Sequence, residues 1–489
     1  MNTPVTLTTL ALTLLLGACD PGLHPAEEKP LSPTPATRRE PAAALQEGRL
    51  AVQHEAPPRS AKSERRERAG LTAQGFTRRH QTHHQQRTDR ERYAHFDDNP
   101  LKITAETPAS TFSIDVDTGS YANLRRILNE GRLPPADAVR TEELLNYFSY
   151  DDPAPAQRER PFLTTTEIAS TPWNPHTHLL RIGIKAWEID TRELPPANLV
   201  FLLDVSGSMD SPDKLPLLKR AMSLLSKHLD GDFNVGTVNH QALIDLVERQ
   251  RGAGIALTTL GFGGGNYNDQ LMEQLADHGN GNHAYIDSLL EAQKVLVDEM
   301  GATLHTLAGD VKIQIEFNPA QVAEYRLIGY ENRALRREDF NNDEVDAGEI
   351  GAGHSVTALY EIALSGGAGR RTDPLRYAPA TPGHDRTTRE LALLRLRYKT
   401  PDQTRSRLIE TPLRATDVQN SLEGSSDDFR FSAAVAAFGQ RLRGGTYLNG
   451  FDYPQIAALA AGARGTDPMG HRGDLLRLVR LAHGLQGRR

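Results

Sequence analysis

The stretch Asp204-Val205-Ser206-Gly207-Ser208 places one carboxylate and two hydroxyls at alternate positions. Directly before it, Leu199-Val200-Phe201-Leu202-Leu203 is a continuous apolar run, as expected for a strand covered on both faces. Such a strand carries the three oxygens to its carboxyl end, the edge at which open α/β sheets bind ligands. Hard oxygen donors of low total charge suit Mg2+ or Mn2+. A further carboxylate, Asp230 in Asp230-Gly231-Asp232-Phe233-Asn234, stands in a loop signal downstream, with Asp210, Asp232 and Asp269 as other candidates to complete a shell.

The elements around these residues decide whether the two halves can meet. Between Asn198 and Met300, strand and helix patterns alternate. An amphipathic helix covers Asp213–Leu229 and another Gln241–Gly254. Buried strands follow at Ile255–Gly263 and His283–Ile286, with a helix over Asp269–Gly281 between them and a closing helix over Leu289–Met300. That order predicts a parallel sheet flanked by helices. The Asp213–Leu229 helix has about 17 residues and falls about 25 Å away from the edge that holds Asp204. Leu229 abuts Asp230 with no returning strand, which puts Asp230 on the order of 20 Å from Ser206. Ligand distances of about 2.1 Å cannot absorb that displacement. The plain alternative for Asp230-Gly231-Asp232 is a turn that ends the helix. Without the returning strand, the 199–205 strand is expected to pair with the Ile255–Gly263 strand or to lose its ladder partners.

The chain has 489 residues, too many for one core. A net charge of -7 and a pI of about 6.2 give no basis for a nucleic-acid partner. Residues 20–92 are rich in Pro, Ala, Glu, Arg, Gln and His, and too poor in large apolar residues to offset their ordering entropy. They read as a disordered tether, and His80, His83 and His84 within it as solvated linker. Residues 93–197 read as helices followed by strands. After Gly301 come strand patterns such as Val311–Pro319 and Leu391–Lys399, with the lengths and turn spacing of a β-sandwich. The expected fold is therefore α/β plus β: a shortened Rossmann-like sheet at 198–305 inserted between sandwich strands, then a C-terminal domain at 306–489 that ends in helices.

At the N-terminus, the apolar run Leu7–Leu16 is too short to span a bilayer. It leads into Leu16-Gly17-Ala18-Cys19, which resembles the lipobox of bacterial lipoproteins, so residues 1–19 read as a signal peptide with its lipidation site. The resemblance implies that Cys19, the single cysteine, carries a thioether-linked lipid that holds the chain at a membrane surface. Asp20, next to it, implies retention at the periplasmic face of the inner membrane. From Leu101 onward the chain resembles bacterial lipoproteins of the von Willebrand factor type A (vWA) family that have a family-specific N-terminal region and a C-terminal domain of unknown function. This resemblance implies a metal-ion-dependent adhesion site. There an Asp-x-Ser-x-Ser loop is joined by a Thr and an Asp from two other loops, and a protein partner's acidic side chain completes the shell. Asp204, Ser206 and Ser208 match the first loop and Asp230 matches the third-loop aspartate. The Thr loop has no counterpart. Roughly 60–80 residues of the family's strands and helices are missing between the first helix and Asp230, at average element lengths.

One enzymatic alternative is visible. Asp117-Thr118-Gly119-Ser120 matches the local signature of aspartic peptidases, a chemistry that needs two such aspartates sharing a proton. No second Asp-Thr/Ser-Gly occurs, and a turn at a strand end explains the residues equally well. The expectation is a non-enzymatic, membrane-anchored envelope lipoprotein that acts in protein–protein recognition or scaffolding. The alternative is a non-functional, partly folded product of an internal deletion.

Overall fold

Strand Glu390–Lys399 illustrates how most of the chain is built. Leu394, Leu396 and Tyr398 are buried, while Arg395, Arg397 and Lys399 alternate with them on the partly exposed face. The computed structural model describes residues 90–190, 199–228, 235–236, 256–373, 389–401, 403, 405–419 and 421–487. Cys19, residues 20–89 of the expected tether, Asp230, Asp232 and the expected helix over 241–254 lie outside them.

In chain order the strands are β1 (Lys102–Ile103), β2 (Ala109–Ser113), β3 (Phe162–Thr171), β4 (Asn174–Ala186), β5 (Phe201–Leu202), β6 (Val235–Gly236), β7 (Thr259–Phe262), β8 (His283–Ile286), β9 (Thr306–Phe317), β10 (Val322–Ile328), β11 (Ala334–Leu335), β12 (Gly348–Gly351), β13 (Ser355–Leu364), β14 (Glu390–Lys399) and β15 (Arg407–Arg414). The helices are α1 (Gly119–Asn129), α2 (Thr141–Asn146), α3 (Leu215–Ser226), α4 (Asp269–His278), α5 (Leu289–Gln293), α6 (Met300–Leu304), α7 (Asp427–Leu442), α8 (Tyr453–Gly462) and α9 (His471–Gln486).

Two antiparallel sheets form the sandwich. One is five-stranded, in the order β1-β10-β13-β4-β3. The other is six-stranded, in the order β11-β2-β9-β14-β15 with β12 on β9. Strands from before residue 199 pair with strands from after residue 305 in both sheets: Ile184 faces Val356, and Phe112 faces Ile313. The stretch with Asp204 is thus an insertion in the sandwich. The core between the sheets is filled by Phe112, Ile182, Ile313, Tyr360 and Leu394 among others. The opposite face of the five-stranded sheet is covered as well. Leu179, Ile328 and Leu359 pack with Phe431, Val435 and Phe438 of α7. Cover on both faces is why β13 is buried over almost its whole length. Ser426 caps α7 by accepting a bond from the Phe429 N–H at 3.0 Å, and Asp452 and Gln455 form a capping box on α8.

The inserted stretch departs from expectation in three places. The apolar run 199–205 contributes only Phe201 and Leu202 to a strand, and Val200 and Val205 are exposed. β5 therefore lacks the cover on both faces that a continuous apolar run suggests. Nor does it pair with the Ile255–Gly263 segment. β5 runs parallel to β6, Phe201 beside Val235 and Leu202 beside Gly236, while β7 and β8 form a separate parallel pair. Val235 and Gly236 satisfy the backbone groups that were expected to seek β7. The closing helix is also interrupted. A π turn at Lys294–Asp298 separates α5 from α6, and the Glu299 N–H bonds back to the Lys294 carbonyl at 2.9 Å.

The tether boundary moves too. Arg90 N–H donates to the Gly265 carbonyl at 3.1 Å and Arg92 N–H to the Tyr267 carbonyl at 3.0 Å, so residues 90–92 belong to the folded part. Among the described residues no helix is long and apolar enough to cross a membrane.

Candidate functional site

The Asp204 loop is held from below by an apolar anchor. Met209, at the end of the short turn Gly207–Met209, is buried with Phe201, Leu218 and Leu260. With Met209 facing inward, Ser206 and Ser208 are exposed and Asp204 is partly exposed. Asp204 Oδ1 accepts the Ser206 N–H at 2.8 Å, and the Ser206 and Ser208 hydroxyl oxygens lie 3.0 Å apart. The two hydroxyls expected to act together are therefore adjacent.

A second loop, which leaves the end of β7, braces the first. Lys214 Nζ donates to Asn266 Oδ1 at 2.5 Å and to the Ser208 carbonyl at 3.3 Å. The Gly264 N–H donates to Asp213 Oδ2 at 3.2 Å, and the Gly265 N–H to Glu91 Oε1 at 2.8 Å. Gly263 sits at φ +66°, and a Cβ there would lie 2.2 Å from Lys214 Cγ. Gly263→Ala is expected to destabilise the chain by about 1–2 kcal/mol, the cost of a left-handed L-residue. A shift of the urea midpoint measures it, and an unchanged midpoint would mean that the brace carries no strain.

Asp204, Ser206 and Ser208 offer one carboxylate and two hydroxyls, hard donors of the kind a divalent cation takes, with one negative charge between them. The remaining positions would fall to water and to a carboxylate from outside the loop. Among the described residues no group of three or more His, Cys, Asp or Glu is placed to hold a metal. Asp210 is exposed. Asp269 is not available as a stand-in ligand, because it is buried against Arg140 Nη2 at 2.7 Å and Tyr267 Oη at 3.1 Å. Burial pushes the Asp269 carboxyl upward, but Arg140 and His283 outweigh it and hold it at about 2. The cap of α4 is Asn268, whose side chain accepts from the Leu271 N–H.

Asp117 is likewise engaged. Its Oδ1 accepts the His283 N–H at 2.7 Å, and its Oδ2 lies 3.3 Å from Arg333 Nη2. Asp115 accepts the Asp117 N–H at 2.8 Å and bonds Arg333 Nε at 3.2 Å. A guanidinium bonded to both carboxylates makes an ion-paired clamp, which is not the proton-sharing dyad of an aspartic peptidase. The clamp extends through Arg333 to Asp277 and through Arg140 to Glu143, Asp269 and Glu273. It ties α1, α2 and α4 to the turn before β11. Sequence periodicity did not reveal it, since a buried ion pair leaves single charges scattered through otherwise ordinary patterns, such as Glu142 and Glu143 in α2.

Comparison with known proteins places these elements in a family. A family model described as "Uncharacterized protein YfbK, C-terminal" matches residues 302–485, from α6 through β9–β15 to α9. A model described as "von Willebrand factor" matches residues 87–181, which lie ahead of the Asp204 loop rather than around it. The curated uncharacterized protein YfbK of Escherichia coli (strain K12) is 43% identical, with 81% of each chain covered. That match runs over 473 residues, whereas 81% of this chain is about 396, so about 77 positions of it have no counterpart here. Among solved structures, the ArnB paralog VWA2 of Sulfolobus acidocaldarius is 12% identical, covers 66% of this chain and 96% of its own, and superposes with a TM-score of 0.32. The human COPII-coat protein Sec24c is 11% identical, covers 58% of this chain and 40% of its own, and has a TM-score of 0.21. Identity of this extent, together with the matched C-terminal domain, means that the chain belongs to the YfbK family.

Proposed function

We propose that this chain is an envelope lipoprotein that acts by protein–protein recognition, presenting its inserted vWA-like module on a rigid sandwich. One observation carries the reading: Asp204, Ser206 and Ser208 converge, largely exposed, in a loop braced by Lys214, Asn266 and Gly264. An exposed oxygen face with an incomplete shell suits recognition better than catalysis, since an outside carboxylate can complete the cation's coordination. In this role Asp204, Ser206 and Ser208 hold Mg2+ or Mn2+ weakly with water, and an acidic side chain of a protein partner supplies the missing charge. Asp230 lies outside the described residues, and this reading does not call on it. Cys19 anchors the protein by lipid at the periplasmic face of the inner membrane, and residues 20–89 let the module reach its partner.

The test is a thermal melt of the full-length chain in EDTA and in millimolar Mg2+ or Mn2+, beside Asp204→Ala. Metal at 100 times its Kd is expected to add about 2.7 kcal/mol, and the substitution is expected to abolish the gain. A melt insensitive to metal would leave a scaffold without an adhesion site. No cooperative melt at all would favour the internal-deletion reading, which the roughly 77 unmatched positions of the relative support.

A further inference from the structure

A cavity of about 370 Å³ opens where α2, the end of β4, the π turn, the β12–β13 turn and the start of α9 meet. It is distinct from the Asp204 loop and shares no residue with it. Two cations lie inside. The Lys294 side chain is 7% exposed, with Nζ 4.5 Å from the Tyr147 ring centroid. The Lys185 side chain is 15% exposed, and its Nζ donates to the Gly353 carbonyl at 2.9 Å. Their carboxylate partners are more open to water: Glu299 is 38% exposed and lies 2.5 Å from Lys294, and Glu188 is 61% exposed and lies 2.9 Å from Lys185. An ion pair with so exposed a partner is weakly held, and that partner can swing out into water.

Two imidazoles also line the cavity. His354 Nδ1 accepts the Gly351 N–H at 3.2 Å, so the neutral ring carries its proton on Nε2, as a donor. Burial lowers His354 to about 4, with Lys294 and Lys185 adding to the effect against Glu299. His471 is lowered too, by burial first and then by Lys294. Its Nδ1 lies 3.4 Å from Tyr147 Oη, whose own proton goes to Glu291. With the His354 Nδ1 lone pair already used, the set is poorly suited to a metal. It offers two ammonium groups and N–H donors, beside the acids Glu188, Asp298 and Glu299.

We propose that this cavity binds a carboxylate, which displaces Glu299 or Glu188 from Lys294 and Lys185. The volume falls in the range of small-ligand sites, about 300–1,000 Å³, and junctions between structural units are their usual place. A short organic acid and an acidic side chain of an extended peptide share this chemistry.

Isothermal titration of the full-length chain at fixed ionic strength separates the two sources. The probes are succinate, its neutral diamide, and an end-blocked peptide containing Asp and Glu. Succinate, the peptide or both are expected to bind, and the diamide is not. Binding of the peptide alone would make the ligand part of a protein, whereas binding of succinate would admit a free organic acid. Lys185→Met and Lys294→Met are each expected to weaken binding at least tenfold. Glu299→Gln is expected to tighten it several-fold, because the internal competitor is gone. That gain keeps the test decisive should Lys294→Met fail to fold. Asp204→Ala is expected to leave the titration unchanged, which separates this site from the adhesion face. No heat from either acid, or equal binding by Lys185→Met and the unaltered chain, would overturn the proposal.

Discussion

Arg140→Met is expected to destabilise the folded chain by about 3–5 kcal/mol, the usual cost of stranding a buried charge by removing its partner. Arg140 is 1% exposed and reaches three carboxylates: Glu143 at 2.9 Å, Asp269 at 2.7 Å and Glu273 at 2.6 Å. Its backbone N–H is held as well, by Ser120 Oγ at 3.0 Å. Methionine keeps much of the volume and removes the charge, so cavity formation contributes little. What remains is a group of buried acids with His283, 3.7 Å from Asp269, and Arg333, 3.9 Å from Glu273 and already bonded to Asp115, Asp117 and Asp277. Some of those acids must then take up protons, because burial already pushes Asp117 and Glu143 upward. The measurement is the urea midpoint, with Lys219→Met on the exposed face of α3 as a control expected to stay within about 0.5 kcal/mol. A loss below about 1 kcal/mol for Arg140→Met would show that the clamp tunes local geometry and does not hold the elements together.

The clamp also marks where sequence reading stops. Length and turn spacing made β9 and β14 visible as strands; burial alternates along β14 from Leu394 to Lys399, whereas β9 is buried without a break from Val311 to Ile315. The placement of Asp204, Ser206 and Ser208 in one loop was equally legible, because a short polar stretch after an apolar run has few ways to fold. The partner of β5 was not. Val235 and Gly236 carry no pattern of their own, and a two-residue parallel ladder is decided by which backbone groups would otherwise go unbonded. The length of the 199–205 run also misled. Apolar residues predict burial only where something covers them, and nothing covers Val200 and Val205 fully. The cavity with Lys185, Lys294, His354 and His471 draws on residues almost 290 positions apart, so only the packing of the sandwich against the helices brings them together.

Glu349→Gln is expected to stabilise the chain at neutral pH and to flatten its stability profile. Glu349 sits on β12 in a cleft of about 160 Å³ that it shares with Asp115, Asp117, Asp277 and Asp346, with Arg333 as the cation. Burial, and then Asp346, Asp310 and Asp277, push its carboxyl up from 4.5 to about 8. Arg333 does little to offset this, because it is committed to Asp115, Asp117 and Asp277. Between pH 4.5 and 8 the folded chain therefore holds a proton that the unfolded chain has lost. Stability falls with pH wherever the native state binds more protons, so this group lowers stability progressively across that window and no further above it. Glutamine keeps the shape and never has to be neutralised. Each tenfold difference in proton affinity between the folded and unfolded chain is worth about 1.4 kcal/mol. The variant should therefore exceed the unaltered chain by about 3 kcal/mol at pH 7 and match it near pH 4.5. Urea midpoints at pH 5, 6, 7 and 8 test this. Two parallel profiles would mean that Glu349 stays ionised in the fold, with a cation or water in the cleft offsetting its neighbours.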